Sequence, residues 1–489
     1  MDPYSKIFAR AISSFQPFPS LCYRKLKFSP VRWLSASISS QHGSSRSLTT
    51  SRSEFDSIKY DWIDGAESLE KYVPGGYHPI MIGDVLHERY SIVHKLGHGG
   101  YSTVWLARDA HLDQYVAVKV GIADRSFDSL QQEIKSLRGL CAPLMLSHLS
   151  TCTFAQQQQQ RGGNSIPLVL DEFNLQAPNG THLCYTTAPA QCNLKEVSYS
   201  RLFPLDVARA LSGNLALALA FSHSRGYVHG DVHLRNVLVK LSSGIAQLSV
   251  EQLYEKYGRP ETITITRHDG NPLLLNNVPP EAVLPVYLGK YAEEFTLSDT
   301  QILLSDFGES FSPASDVRRG EDCHTPLAFR APEAQFEPYT PLSYPSDIWS
   351  LATAIWEIIG MKAIFSTEYA DINRVLSQHV DLLGSLPSSW WEHWEQRDQF
   401  FIENGQPKGG RGRYVWPPID QAFEDGVQKY RRMDGMGEFD EEETAAILDL
   451  MRRMLAFRPE ERPTIEEVLQ SEWMVQWVLP DVDGSLQAQ

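Results

Sequence analysis

One stretch organises this chain of 489 residues: His229-Gly230-Asp231-Val232-His233-Leu234-Arg235-Asn236. The apolar residues 211–226 before it predict a buried helix, and residues 237–239 after it predict a short strand. A polar loop between two rigid elements can hold side chains in a fixed geometry. There, Asp231 can accept a proton from a hydroxyl group and Asn236 can bind a metal ion. By itself the loop is a weak signal, and an ordinary surface loop is the alternative.

A glycine-rich turn between two predicted strands lies upstream, at Gly97-His98-Gly99-Gly100-Tyr101-Ser102. Glycines at such a turn let backbone amides approach phosphate oxygens. A dinucleotide-binding fold would continue into a helix, but here a strand follows, and the Lys-Ser/Thr ending of a Walker loop is absent. A plain hairpin turn remains the alternative interpretation.

The next strand weakens the hairpin alternative, because Tyr115-Val116-Ala117-Val118-Lys119 carries a lysine that needs a partner or a ligand. A helical pattern follows and contains Glu133, which we expect to pair with Lys119 and orient its ammonium toward phosphates.

Two further motifs follow in the order that a phosphoryl-transfer site requires. A predicted strand ends in Asp306-Phe307-Gly308. The carboxylate of Asp306 can bind magnesium as a second ligand beside Asn236. Ala331-Pro332-Glu333 closes the segment that would shape the substrate site, and Glu333 is expected to form a buried ion pair with Arg462. Five motifs of a phosphoryl-transfer site in the required order are too many to be explained by chance.

Residues 72–475 resemble a eukaryotic protein kinase, and several details are similar to the serine/arginine-rich (SR) protein kinase family in its fungal branch. These details are the lead-in Gly75-Gly76-Tyr77-His78-Pro79, the run Ser102-Thr103-Val104-Trp105, the long spacer between Asn236 and Asp306, and the Trp-rich tract 386–395. The resemblance implies an ATP-dependent and Mg²⁺-dependent serine/threonine kinase that phosphorylates Ser in Arg/Ser-rich proteins. It also implies a role in mRNA processing and a location in cytoplasm and nucleus. We expect the protein to be a monomer.

The resemblance assigns roles to the matching residues. Asp231 would be the catalytic base with His233 beside it, and Asn236 and Asp306 would bind magnesium. The residues that would hold ATP are Leu96, Gly97, Gly99, Gly100, Ser102, Val104, Lys119 and Glu133.

The implied fold is α+β, a bilobal protein-kinase fold with a mainly β N-lobe and a mainly helical C-lobe. The N-lobe would cover about residues 80–187 and the C-lobe 191 to about 477. We expect the kinase domain at 90–477, a lead-in without chemistry of its own at 54–89, a spacer insert at 240–301 and a tail at 478–489.

Two positions depart from the family pattern. Gly230 replaces the arginine that precedes the Asp in most kinases, which removes a cationic partner for a phosphorylated activation segment. His233 replaces a lysine that contacts the transferred phosphate, and a neutral histidine stabilises that charge less; Arg235 is a candidate replacement. The His-Gly-Asp-x-His pattern is also typical of small-molecule kinases of the aminoglycoside and choline type. A small-molecule kinase and a catalytically weak pseudokinase scaffold are therefore the alternatives.

Charge and composition restrict the partners. The net charge is −16, but residues 1–53 carry +7, which leaves −23 on the remainder. An acidic body disfavours direct nucleic-acid binding and suits a basic protein substrate. The apolar runs are too short for a membrane span, and the six cysteines lack metal-site spacing. Residues 1–53, rich in Ser and poor in acids, fit either a mitochondrial transit peptide or a disordered segment.

An acidic stretch follows the Trp-rich tract. Glu392, Glu395 and Asp398 lie three apart and would share a loose stripe on a helix, where the resembling family grips Arg/Ser segments. Trp391 and Trp394 are expected to pack into the core. A solvated helix face without a partner is the alternative.

Overall fold

The structure is a computed structural model that describes residues 58–124, 129–142, 161–197, 202–273, 276–367, 371–408 and 413–487. The predicted targeting or disordered segment, residues 1–53, lies outside the described residues.

A six-stranded antiparallel sheet forms the N-terminal part, in the order β1-β2-β3-β4-β6-β5. Its strands are β1 (Val85–Leu86), β2 (Tyr90–His98), β3 (Ser102–Asp109), β4 (Gln114–Gly121), β5 (Asp171–Ala177) and β6 (Gly180–Thr187). In β4 the alternate residues Val116, Val118 and Val120 are buried in one cluster with Trp105 of β3. That alternation is why this stretch forms a strand with Lys119 on its opposite face.

The strand before the Asn179-Gly180 turn is β5, which begins at Asp171, after the apolar run at residues 167–170. The hairpin register decides this, because Ala177 pairs with Gly180 across the turn and Asp171 pairs with Thr186. The polar β5 is an edge strand, where one face can remain in water.

Helices dominate the C-terminal part. The α-helices of the described residues are α1 (Ser129–Cys141), α2 (Leu194–Val197), α3 (Leu205–Ser224), α4 (Ser243–Ala246), α5 (Val250–Tyr257), α6 (Glu333–Phe336), α7 (Tyr344–Gly360), α8 (Ile372–Leu383), α9 (Ser388–His393), α10 (Ile419–Phe423), α11 (Lys429–Asp434), α12 (Glu441–Met454), α13 (Ile465–Leu469) and α14 (Leu479–Gln487). The helices α3 and α7 are buried nearly all round and form the centre of the largest core. None of the helices among the described residues has the length and hydropathy that a membrane span requires.

The C-terminal boundary lies later than expected. Residues 478–489 were expected to be a tail, but α14 packs against α3, and Val482 is buried in the main core. Gly213 of α3 permits this approach, because an added Cβ would lie 2.5 Å from a methyl group of Val482. The folded body therefore extends to residue 487 at least.

A three-stranded sheet positions the loop of residues 229–236. It consists of β7 (Ala190–Asn193), β8 (Val237–Lys240) and β11 (Ile302–Leu304), in the order β11-β8-β7. In the antiparallel register Val237 is opposite Leu304. The loop before β8 and the loop after β11 consequently lie side by side.

The predicted spacer insert is folded onto the N-terminal sheet. Besides α4 and α5, it contains the hairpin β9 (Thr262–Thr264) and β10 (Glu281–Val283). Leu253 of α5 packs with Val93 and Leu106 of the sheet, and the Tyr254 hydroxyl donates to the Val93 carbonyl at 3.0 Å. The lead-in packs against the insert as well, with Tyr72 and Val278 in one cluster.

Candidate active site

Three strands bring the predicted nucleotide residues onto one face of the N-terminal sheet. Gly97 of β2 is paired with Val104 of β3, and Val104 is paired with Lys119 of β4. Cross-strand partners point to the same face of a sheet. Leu96 is half-buried next to Gly97, and Ser102 is buried where its carbonyl accepts the Gly99 N–H at 2.8 Å. Gly100 lies at the exposed tip of the turn.

Lys119 is the centre of a charged cluster. Its Nζ lies 2.6 Å from Oε2 of Glu133, on α1, and 3.3 Å from Oδ1 of Asp306. Burial acts to lower the pKa of Lys119, but the carboxylates of Asp306 and Glu133 outweigh it and raise that pKa well above its ordinary value. Lys119 in turn lowers the pKa of Asp306. The predicted pairing of Glu133 with Lys119 is thus present, with Asp306 as a second partner.

Asp231, His233 and Asn236 form a second cluster in the loop before β8. The Asn236 amide Nδ2 donates to the Asp231 carbonyl at 2.9 Å and to its Oδ2 at 3.0 Å. The His233 Nε2 lies 3.4 Å from the same Oδ2. Because Nδ2 is used in this way, the Oδ1 of Asn236 is the atom available to a cation. Oδ1 of Asp231 is buried without a hydrogen-bond partner, which leaves it for an incoming hydroxyl group.

The backbone joins the two clusters. The carbonyl of Asn236 accepts the N–H of Ser305 at 2.8 Å and its hydroxyl at 3.0 Å, and Ser305 precedes Asp306. The Ser305 carbonyl lies 3.1 Å from Nε2 of His229. Burial lowers the pKa of His229, so its ring is neutral, and its Nδ1 accepts the Asp231 N–H at 3.2 Å. His229 is therefore a buried link between the two loops.

The backbone conformation and close packing at residue 230 require glycine. Its φ is +79°, and an added Cβ would lie 2.8 Å from the carbonyl oxygen of Glu309. Its N–H donates to Oδ1 of Asp347 at 2.9 Å, and its carbonyl accepts the Thr325 hydroxyl at 2.6 Å. An arginine side chain at residue 230 would not fit this backbone.

Two side chains of the activation segment contact Glu309. Arg318 donates from Nη1 to Oε2 of Glu309 at 2.9 Å, and Nδ1 of His324 lies 3.0 Å from the same oxygen. Glu309 follows the Asp306-Phe307-Gly308 motif directly, so these bonds tie the start of the segment to its later part. Arg235, the suggested replacement charge, is exposed.

The remaining sequence-based expectations fall on the C-terminal part. Glu333 and Arg462 form the predicted buried ion pair, with N–O distances of 2.8 and 2.6 Å.

The prediction that Glu392, Glu395 and Asp398 share a stripe on one helix is wrong, because α9 ends at His393 before Glu395 and Asp398. All three acids are nevertheless exposed. Trp390 and Trp394 are buried in one cluster, while Trp391 is only half-buried against it.

Two contributors to the site were missed by sequence reasoning. Asp347 and Thr325 carried no predicted role in the site. A buried carboxylate in an apolar helix needs donors, so the isolated charge of Asp347 was the available signal. Thr325 offered no comparable signal.

Residues 293–474 match the family described as protein kinase domain. The chain carries a protein kinase domain. The bilobal α+β fold expected from the sequence is confirmed by that match together with the β-rich N-terminal and helical C-terminal parts.

Individual relatives agree with the match. A serine/threonine protein kinase of Aspergillus fumigatus is 24% identical over 419 residues, which cover 84% of this chain and 90% of the relative. The serine/threonine-protein kinase SRPK of Physarum polycephalum is 23% identical over 423 residues, 83% of this chain and 91% of the relative. The kinase SKY1 of Saccharomyces cerevisiae is 34% identical over 211 residues, 41% of this chain and 26% of the relative. This chain is therefore a serine/threonine protein kinase that uses ATP. It resembles SR protein kinases at moderate identity.

Proposed function

We propose that this kinase phosphorylates serine in basic, Arg/Ser-rich protein segments, with Mg²⁺ as the metal that accompanies ATP. The observation that carries the phosphoryl-transfer assignment is the contact of Lys119 with both Glu133 and Asp306. A lysine held by two carboxylates stays charged, and its position on the glycine-loop face suits the α- and β-phosphates.

The residues fit a magnesium ion that arrives with the nucleotide. Mg²⁺ is usually held by one or two protein oxygens while phosphate oxygens and waters complete its shell. Asn236 would contribute Oδ1, since its Nδ2 donates to Asp231, and Asp306 would contribute its carboxylate. When bound, the ion would neutralise charge on the phosphates.

Asp231 would act as the base. Nδ2 of Asn236 fixes one oxygen of its carboxylate at 3.0 Å, and the buried Oδ1 has no hydrogen-bond partner. A substrate hydroxyl that donates to this oxygen would pass it a proton while the hydroxyl oxygen attacks the γ-phosphorus of ATP and ADP leaves. His233 lies 3.4 Å from the fixed oxygen, where it would orient the carboxylate.

Three features support a basic substrate. The chain outside residues 1–53 carries −23. Glu392, Glu395 and Asp398 are exposed on the surface of the helical part. Relatives include a kinase named SRPK and an SRSF protein kinase of Homo sapiens, 28% identical over 202 residues, 40% of this chain and 33% of the relative. We extend the proposal to a role in mRNA processing.

A parallel turnover assay tests the acceptor. The full chain with Mg-ATP would be offered an Arg/Ser peptide, a generic basic protein, and amino-alcohols of the choline and aminoglycoside type. We expect the highest kcat/KM on the Arg/Ser peptide. Preferential transfer to an amino-alcohol would support the small-molecule alternative that His233 suggested, and no transfer to any acceptor would support a pseudokinase scaffold.

For location, we propose cytoplasm and nucleus, and a mitochondrial targeting segment in residues 1–53 is the alternative. A fluorescent protein fused to residues 1–60 should stay diffuse in cells. Import of that fusion into mitochondria would overturn this part of the proposal.

A further inference from the structure

The lead-in, to which the sequence assigned no chemistry, contacts the tip of the glycine-rich loop. The Tyr77 hydroxyl donates to the Gly99 carbonyl at 2.7 Å, and the Lys71 ammonium donates to the Gly100 carbonyl at 2.9 Å. The Lys71 ammonium also lies over the ring of Tyr101, 5.6 Å from its centroid. Two consecutive peptide groups of the loop are thus bound from outside the sheet.

Residues 71–77 form a tight turn that presents both side chains together. The Tyr77 N–H donates to the Lys71 carbonyl at 2.9 Å and closes the turn. Gly76 is required inside it, because an added Cβ would lie 1.7 Å from the Lys71 carbonyl oxygen. The turn is attached to the end of β4 through the N–H of Ala123 on the Gly76 carbonyl at 3.0 Å, and to Asn179.

A buried ion pair fixes the segment next to the turn. The ammonium of Lys95, in β2, bonds to the Glu67 carboxylate, and both side chains are almost completely buried. The Tyr72 hydroxyl donates to the other oxygen of Glu67. A pair of this kind tolerates little displacement, because either charge left alone would be buried without compensation.

The strand register shows on which face the lead-in lies. Lys95 is paired with Trp105 and Trp105 with Val118, while Val104 and Lys119 are the next positions along β3 and β4. Adjacent residues of a strand point to opposite faces. Glu67 and the lead-in therefore bind the face opposite to Lys119, which is the face away from the proposed nucleotide site.

The direction of the amides follows from peptide geometry. In a trans peptide the C=O and the following N–H point in opposite directions, and the described residues contain no cis bond. Carbonyls of Gly99 and Gly100 that are held toward the lead-in turn the N–H groups of Gly100 and Tyr101 toward the Lys119 face. Backbone amides aimed in this way bind phosphate oxygens.

We propose that Lys71 and Tyr77 are positioning residues for nucleotide binding, which hold the glycine-rich loop with its amides directed at the ATP phosphates. They act through Gly99 and Gly100 and do not touch the nucleotide. The inference rests on the proposed ATP site, so its test measures nucleotide binding directly rather than phosphorylation.

The test compares Tyr77→Phe, Lys71→Met and the double variant with the wild-type full chain. Dissociation constants for Mg-ATP and Mg-ADP come from calorimetry, and KM for ATP and kcat come from peptide phosphorylation. Losing one hydrogen bond should raise the dissociation constant of Mg-ATP roughly 3- to 10-fold. The KM for ATP should rise in parallel, hydrogen exchange at residues 99–101 should accelerate, and Lys71→Arg should retain most of the affinity.

Matched controls are Lys59→Met and Tyr60→Phe, in the same segment. The backbone of Lys59 bonds to His268 of the insert, and Tyr60 forms a β-bridge with Arg267 of the insert, so neither contact involves the glycine-rich loop. These variants should bind Mg-ATP as the wild type does. Tyr77→Phe keeps the buried ring, and Lys71 is exposed, so both variants should fold, as their melting temperatures will verify. Wild-type affinity in the folded double variant would overturn the inference alone, whereas a wild-type chain that does not bind ATP would overturn the proposed function.

Discussion

Oδ1 of Asp347 accepts the backbone N–H of Gly230 at 2.9 Å, although the two residues are 117 positions apart in the chain. The other oxygen accepts the N–H of His229 at 2.7 Å and lies 2.9 Å from Nε2 of His223. Burial acts to raise the pKa of Asp347, but its interactions with His223, His229 and Gly230 lower it below the ordinary value. One ionised side chain of α7 thus holds the backbone immediately before the proposed base.

Asp347→Asn should destabilise the kinase and slow it. The amide has one acceptor oxygen where the carboxylate has two, so a buried donor loses its partner at a cost of about 1–3 kcal/mol. We expect kcat to fall at least roughly tenfold, because Asp231 is displaced, with the KM for ATP little changed. Denaturant unfolding and steady-state kinetics measure both effects. Asp449→Asn, at an exposed pair with Arg453, is the control, and an unchanged kcat in Asp347→Asn would contradict this account.

Lys119→Ala and Asp231→Asn should each raise the reaction barrier by about 3–5 kcal/mol, as the loss of a principal transition-state contact does. The two should differ in binding: Lys119→Ala should also weaken Mg-ATP binding, whereas Asp231→Asn should bind the nucleotide normally. Single-turnover phosphorylation and calorimetry separate the two quantities. Wild-type phosphorylation of every substrate by both variants would show that the assignment of these residues is wrong.

Substitutions of His233 can either remove its polar group or replace it with a permanent positive charge. His233→Leu removes a polar group next to Asp231 and should lower kcat on a protein substrate about tenfold or more. His233→Lys supplies a permanent charge and should keep kcat at or above the wild-type value, if its ammonium reaches the transferred phosphate. Equal kcat values in all three proteins would exclude a role for this side chain in the reaction.

The exposed acids can be tested as a docking surface. Reversing Glu392, Glu395 and Asp398 to Lys should raise the KM for an Arg/Ser peptide several-fold at ~0.1 M salt while kcat changes little. The effect should shrink as salt is added, because exposed charges are screened. Glu441, Glu442 and Glu466, three other exposed acids of the helical part, changed to Lys form the control. If both triple variants retain the wild-type KM, the substrate docks elsewhere.

His379 should make the stability of the kinase pH-dependent. Its ring is buried between Trp349 and Phe365, and neither nitrogen has a hydrogen-bond partner. Burial, with a smaller effect of Arg462, lowers the pKa of His379 to about 3. Below its ordinary pKa of about 6.5 the unfolded chain binds a proton there and the folded chain does not. The free energy of unfolding should therefore fall as pH drops from 6.5 toward 3, by up to about 1.4 kcal/mol per pH unit.

Urea unfolding between pH 7.5 and 5 measures this dependence, and His379→Phe should reduce its slope. His268→Phe changes an exposed histidine and should leave the slope as it is in the wild type. A slope that His379→Phe does not alter would assign the pH dependence to other groups.

The sequence determined the chemistry and most elements near it. Local alternation predicted β4 with Lys119 on one face, and an apolar run predicted α3 before the loop of Asp231. Such patterns are readable because a strand or helix repeats its buried side chains at a fixed interval. The order of the motifs was enough to predict the protein kinase domain, which is confirmed. The roles of the site residues remain predictions.

Only the tertiary structure decided which distant groups hold that chemistry in place. Asp347 on Gly230, Arg318 on Glu309, and Lys71 and Tyr77 on the glycine-rich loop join residues whose local patterns carry no sign of one another. Local sequence patterns also gave no sign that the spacer insert folds onto the sheet or that α14 packs on α3. The physical reason is that a single hydrogen bond or ion pair depends on where packed elements come to rest, whereas periodicity records only which face of each element is buried.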